Sequence, residues 1–250
     1  MFFSRPGVYK PCGIFNIKHL IIAIITFSAI GIAVKKTKIK SKKDIKKIIK
    51  NLTILMCILE IVKTIYNFAV GEGSNINKMV PLYYCSILLY AGLLSSFGTG
   101  NFERSGNVFL ATGGIIGGIV FIIFPTTSLP EYPWFHFISI HSFLFHGIMV
   151  YLGIIINKFK YIDLEMSDLK LYSTLIFAIC MAAYAINLRF GSNLMFISQD
   201  FPNSPISAIY HVLGRAFTPL MIIAQMTLPF FVVYGIVKNI NNKKMVKALN

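Results

Sequence analysis

About 20 mostly apolar residues carry an α-helix across ~30 Å of hydrocarbon at 1.5 Å per residue, and seven segments of this chain meet that requirement. They cover residues 13–34, 48–70, 80–97, 107–124, 133–156, 170–188 and 215–237. Composition agrees: 56% of the 250 residues are hydrophobic and only 13% are charged, which does not fit a soluble globule. The links between segments are short and marked by breakers, such as GEGSNINK from Gly71, FGTGNFERSG from Phe97, PTTSLPEYP from Pro125 and SQDFPNSP from Ser198. None could hold a second domain, so the sequence predicts a single all-α integral membrane domain over 1–250, a polytopic bundle of about seven transmembrane helices.

The net charge of +15 could signal nucleic acid, anionic lipid or topology. Its distribution decides. Nine lysines crowd between Lys35 and Lys50, directly after the first apolar segment, where the positive-inside rule places cytoplasmic charge. Lys158 and Lys160 after the fifth segment, and Lys238, Lys243, Lys244 and Lys247 at the tail, fall on the same side. The N-terminus is therefore expected outside and the C-terminus in the cytoplasm of a multi-pass plasma-membrane protein. Lysines near the surface also contact anionic headgroups, and no nucleic-acid partner is implied. The first segment is long for a signal peptide, ends in KKTKIK without a small-residue cleavage motif, and reads as a retained span.

Ionisable residues inside a membrane segment are costly and mark candidate sites. At 100° per residue, Thr53, Cys57, Glu60, Lys63, Thr64 and Asn67 form one polar stripe of the second segment. A self-neutralising Glu60–Lys63 pair that fixes packing and a direct role in a site both fit this stripe. In the third segment, treated as a helix, Pro81, Cys85, Gly92 and Ser96 share a small-residue face. In the fifth, Ser139, Ser142, His146 and Gly153 align, while His141 points about 140° away. His146 is thus the best-placed proton acceptor, although a packing hydrogen-bond role fits it equally. Gly113, Gly114, Gly117 and Gly118 let a neighbour approach the fourth segment closely. Pro219 and Pro229 are expected to bend the seventh. Asn187, Arg189 and Asn193 gather at the outer end of the sixth, where capping and a site role are both open. The four cysteines, Cys12, Cys57, Cys85 and Cys180, show neither metal-ligand spacing nor a disulfide framework.

VPLYYCSI at Val80, the glycine-rich fourth segment ending in FP, FHG at His146 and GSNLMFI at Gly191 occur in a familiar order. From about Glu60 to Gly214 the chain resembles the YwaF family of bacterial integral membrane proteins, related to transmembrane protein 164. The resemblance implies a lipid acyltransferase with Cys85 as acyl carrier and His146 as base. Glu60, Asn187 and Asn193 match further polar members of the pattern. Tyr83 and Tyr84 stand where the family typically has a His-Leu or similar pair, and SPISAIYHVLGRAFTP replaces an aromatic, Pro-Trp-rich stretch.

The chemistry is coherent, since a thiolate can take an acyl group as a thioester and pass it to a hydroxyl that the same base deprotonates. Tyr84 and Asn193 are candidate partners for the ester oxygen or the base. Membrane phospholipids are the expected acyl donors and acceptors, and no cofactor or metal is implied. The competing reading is a transporter, or a lipid- or ion-binding protein, whose Glu60, Lys63, Arg215 and Gln225 line a pathway. One mismatch stands out: counted from the outer ends, Cys85 and His146 differ by eight residues, roughly 12 Å of depth at 1.5 Å per residue.

Overall fold

The structure, a computed structural model, describes residues 2–202 and 204–249, with side chains as far as Lys243; the side chains of Lys244 and Lys247 lie outside the described residues. Among the described residues every regular element is helical. In chain order these are α1 (Ile17–Lys36), α2 (Lys42–Ala69), α3 (Ile76–Met79), α4 (Ile87–Phe97), α5 (Gly100–Ala111), α6 (Gly113–Ile123), α7 (Phe137–Lys158), α8 (Asp168–Phe190), α9 (Pro205–Leu213) and α10 (Phe217–Leu249). Five stretches are long and apolar enough to cross a membrane: α1, α5 with α6, α7, α8, and α9 running into α10. α2 has the length, at 28 residues, but its lysines and polar stripe dilute it. Ile54, Leu55, Ile58, Ile61, Val62, Ile65 and Phe68 form its exposed apolar face, while Thr53, Glu60 and Asn67 are buried. The helix thus turns its polar stripe inward and its apolar face outward.

Hydrogen bonds and ring contacts define two poles. At the basic pole Lys46 pairs with Glu103 (2.7 Å), Lys50 sits over the Phe97 ring, Lys158 donates to the Val34 carbonyl, and Arg104 grips Asp168. The ends of α1, α4 and α7 and the starts of α2, α5 and α8 therefore meet there. At the opposite pole Lys78 pairs with Glu131 (2.7 Å), and the Ser4 carbonyl accepts from Tyr66 Oη (2.6 Å) and from His136 Nε2 (3.0 Å).

The start of α2 is built by a capping box. Ser41 Oγ accepts from the Asp44 N–H, and Asp44 Oδ2 accepts from the N–H groups of Lys40 and Ser41, both at 2.9 Å. Those backbone donors, that of Lys40 first, hold the Asp44 carboxyl below its ordinary value. A group with a lowered folded pKa stabilises above its unfolded value and loses that contribution as pH falls through the folded one. Amide exchange at residues 42–45, corrected for intrinsic rate, is therefore expected to accelerate below about pH 4. In Asp44→Asn it should show no such step.

Three expected segments differ from the helices found. The third is helical only from Ile87, because Pro81 disfavours an α conformation at Val80 and residues 80–86 form turns instead. The shared face drawn for Pro81, Cys85, Gly92 and Ser96 consequently does not exist. The fourth starts at Gly100, so that most of the apparent link FGTGNFERSG is helix whose Glu103 and Arg104 are polar because they lie at a pole. It breaks at Thr112 (φ −123°, ψ −81°), whose Oγ1 turns back to the Val108 carbonyl at 2.6 Å. The seventh is preceded by α9, which sequence periodicity did not reveal. Pro219 falls in the first turn of α10, where its missing N–H costs nothing, so only Pro229 interrupts that helix.

Candidate functional site

Residues 80–86 enter the bundle as non-helical chain, which is tolerated at membrane depth only where protein satisfies the backbone. Here the Leu82 carbonyl accepts the Met195 N–H at 3.1 Å, and the Tyr83 ring lies 4.9 Å from that of Phe196. Tyr84 reaches α6, where a Cβ at Gly113 would stand 2.6 Å from Tyr84 Oη and one at Gly117 3.0 Å from its ring. These glycines make room for the tyrosine. Cys85 follows, at the N-terminal end of the half-length helix α4, with the backbone N–H groups of Cys85 and Ser86 beside its sulfur.

Counted along the helices from the basic pole rather than from the outer ends, the depth mismatch closes. From the basic pole, Cys85 stands just above the 11 residues of α4, about 16 Å, and His146 lies 12 residues above Lys158, about 18 Å. Lys63, 13 residues above the Lys50 that covers Phe97, is at about 20 Å. By this count the three stand at similar heights along their helices. The charged groups that act on the Cys85 thiol are Lys63 and Glu60, and the Lys63 ammonium also acts on the rings of His141 and His146.

His146 is buried and lies flat against Phe121 of α6, with ring centroids 3.6 Å apart. A Cβ at Gly118 would stand 2.7 Å from the His146 carbonyl, so His146 crosses α6 one residue beyond the glycine that seats Tyr84. Its Nδ1 lies 2.6 Å from the Ser142 carbonyl, which can only accept. Nδ1 therefore carries the proton and Nε2 the lone pair. That Nε2 is buried and has no hydrogen-bond partner. No hydrogen bond joins it to Cys85.

Glu60 and Lys63 pair with each other at 2.5 Å, and Glu60 Oε2 lies 3.9 Å from His141 Nε2. His141, which faces away from His146, thereby joins the polar stripe of α2; both of its ring nitrogens are buried without a hydrogen bond. Sequence reasoning set this histidine aside because it compared faces within one helix and had no view of the neighbouring one.

The two asparagines have a different task. Asn187 Oδ1 accepts from the Leu194 N–H and Ser192 Oγ, both at 2.8 Å, while its Nδ2 donates to the Leu194 carbonyl and Ser198 Oγ. Asn193 Oδ1 accepts from the N–H groups of Ser198 and Gln199, and its Nδ2 donates to the Gln199 carbonyl. Their amides are committed to the loop after α8 rather than open to a substrate. Tyr84 Oη is likewise bonded, to Tyr172 Oη at 2.6 Å. Tyr172 and Gln225 tie this region together; Tyr172 carried no sequence signal beyond being a polar group in an apolar segment, and Gln225 entered only as a pathway residue of the transporter reading.

A family model, that of the TMEM164 family, matches residues 14–237. No curated protein and no solved structure matches the chain.

Proposed function

The chain belongs to the TMEM164 family, and from that premise we propose that it is a membrane acyltransferase that carries the acyl group on Cys85 and uses His146 as the base. The observation that supports this most is the bare, buried Nε2 of His146, which by residue count stands at a height along α7 similar to that of Cys85 above α4. A buried polar atom without a partner calls for an explanation, and a ligand or water that the site is built to receive is one. In the proposed step the Cys85 sulfur attacks the carbonyl of a phospholipid ester, and the thiol proton passes to His146 Nε2. The ester C–O bond breaks, and the leaving oxygen takes that proton from His146 to depart as a lysophospholipid alcohol. In the return step His146 takes the proton of an acceptor hydroxyl, whose oxygen attacks the thioester; the C–S bond breaks, and the freed sulfur takes the proton back from His146. Water as the acceptor turns the same site into a lipid hydrolase.

The protein is proposed to cross the plasma membrane seven times, with α2 and the broken third segment as two of the passes, the N-terminus outside and the basic pole in the cytoplasm. On this reading membrane phospholipids are both donor and acceptor. The transporter reading needs free charges along a pathway, whereas Glu60 and Lys63 are bonded to one another; Gln225 is uncharged, with its Nε2 donating to the Met195 carbonyl and its Oε1 buried without a partner.

The test is thioester formation by the purified protein in nanodiscs, read as hydroxylamine-labile labelling from a long-chain acyl p-nitrophenyl ester. His146→Ala is expected to slow labelling about 10²-fold or more, the usual worth of a positioned base. Labelling at the wild-type rate in that variant rejects the pair.

A further inference from the structure

Pro229 has no N–H, so the carbonyl four residues earlier, that of Gln225, has no partner within α10. A free carbonyl in a spanning helix must be satisfied by a neighbour, and here Tyr172 Oη of α8 donates to it at 3.2 Å. Because Tyr172 spends its proton on that carbonyl, its oxygen is left to accept, and Tyr84 Oη donates to it at 2.6 Å. The proline thus fixes the direction of a hydrogen-bond chain that ends on the residue before Cys85. On the other side, Gln225 Nε2 donates to the Met195 carbonyl at 2.9 Å, and the Met195 N–H holds the Leu82 carbonyl.

The circuit closes around the thiol-bearing segment, with Leu82 gripped through its backbone and Tyr84 through its hydroxyl. Met195 and Phe196 take left-handed backbone conformations (φ 58° and 53°), which non-glycine residues keep only where their surroundings over-determine them. The amide of Asn187, bonded at both ends of Leu194, provides that determination.

We propose that Tyr172, Gln225 and Pro229 are positioning residues for acyl transfer, forming with Met195 a frame that holds residues 82–85 so that the Cys85 sulfur meets the acyl carbonyl at a fixed angle. None of the three touches the reacting atoms. The inference rests on the acyl-carrier reading of Cys85. It gives Pro229 a task other than bending a helix, and it explains why residues as far apart in sequence as Leu82, Tyr172 and Gln225 converge.

The experiment uses the full chain in nanodiscs and palmitoyl p-nitrophenyl ester as the probe, under single-turnover conditions. Nitrophenolate leaves with the electron pair of the broken C–O bond as the S–C bond forms, and its absorbance gives the rate. Tyr172→Phe removes one hydroxyl, Gln225→Leu removes the amide, and Pro229→Ala restores an N–H that recaptures the Gln225 carbonyl. Each is expected to lower the maximal rate on the order of tenfold, with the half-saturating ester concentration within about twofold of wild type, since loss of orientation acts on the transition state. Alkylation of Cys85 by iodoacetamide, which needs only an accessible thiol, is expected to stay within about twofold of wild type.

A Cys85-dependent burst whose maximal rate is unchanged in the three variants overturns the frame and leaves the acyl-carrier reading standing. Slower bursts accompanied by an equal change in alkylation also overturn the frame, since that pattern marks loosened packing. No burst from wild type, or one that survives Cys85→Ala, rejects the acyl-carrier reading and the frame together.

Discussion

Cys85→Ala is expected to form no acyl-enzyme. Covalent catalysis has no substitute route once its nucleophile is gone, and the other three thiols are placed elsewhere. Cys12 sits outside the start of α1, with its sulfur turned to Asn16. Cys180 is fully buried in the main core. Cys57 lies one turn of α2 below Glu60 and is partly covered by the same core. Only Cys85 stands at a break in the chain, just before the start of α4. Labelling with an alkyne-tagged acyl ester, read by gel fluorescence before and after hydroxylamine, should fall by at least about 10²-fold. Cys85→Ser should remain as silent, because a hydroxyl is a far weaker nucleophile beside the same base. The control is thermal unfolding, where loss of one sulfur atom from this site should cost about 1 kcal/mol. Labelling that persists in Cys85→Ala and is shared between Cys57 and Cys180 would mean ordinary thiols and no acyl carrier. A flux assay with Glu60→Gln and Lys63→Met would then become the leading experiment, because the transporter reading predicts loss in those variants and none in Cys85→Ala.

What the sequence made legible followed from properties that add along the chain. Apolar length located the helices that cross from pole to pole, lysine clustering located the basic pole, and the arc from Thr53 to Asn67 identified the buried face of α2. What it missed depends on the third dimension. Hydropathy cannot distinguish apolar helix from apolar turns, so residues 80–86 pass for the start of a helix, which the chain begins only at Ile87. Helical projection compares residues within one element, so His141 was set against His146 when the relevant comparison was with Glu60 on α2. Asn187 and Asn193 were visible as polar residues at the end of a helix. Their task, building a left-handed turn that reaches back to Leu82, required knowing that a contact spanning more than a hundred residues exists. Pro229 was visible as a helix breaker, but its consequence falls on a tyrosine in another helix.

The same limit applies to Arg104, which sequence assigned to a link and which the fold makes the half-exposed partner of a buried carboxylate. Arg104 Nε and Nη2 hold both oxygens of Asp168, at 2.5 and 2.9 Å, and Nη2 also donates to the Asp163 carbonyl at 3.2 Å. The Asp168 side chain is only 2% exposed, and its Oδ2 additionally accepts the Glu165 N–H at the start of α8. Removing the guanidinium strands a desolvated carboxylate, so Arg104→Ala is expected to destabilise the protein by about 3 kcal/mol. The nearby Lys46–Glu103 pair has both side chains more than a quarter exposed, and its loss should cost less than about 1 kcal/mol. Thermal unfolding of the two variants in one detergent gives the comparison. Asp168→Asn introduced into Arg104→Ala should recover part of the loss, because it discharges the stranded group. Equal, small effects of Arg104→Ala and Lys46→Ala would mean that water reaches Asp168 and that this pole is looser than its hydrogen bonds imply. The site is insulated from this outcome by distance: His146 lies about 18 Å up α7 from the pole. Arg104→Ala protein that still folds is therefore expected to form the Cys85 thioester at the wild-type rate, which separates what holds the bundle closed from what aims the thiol.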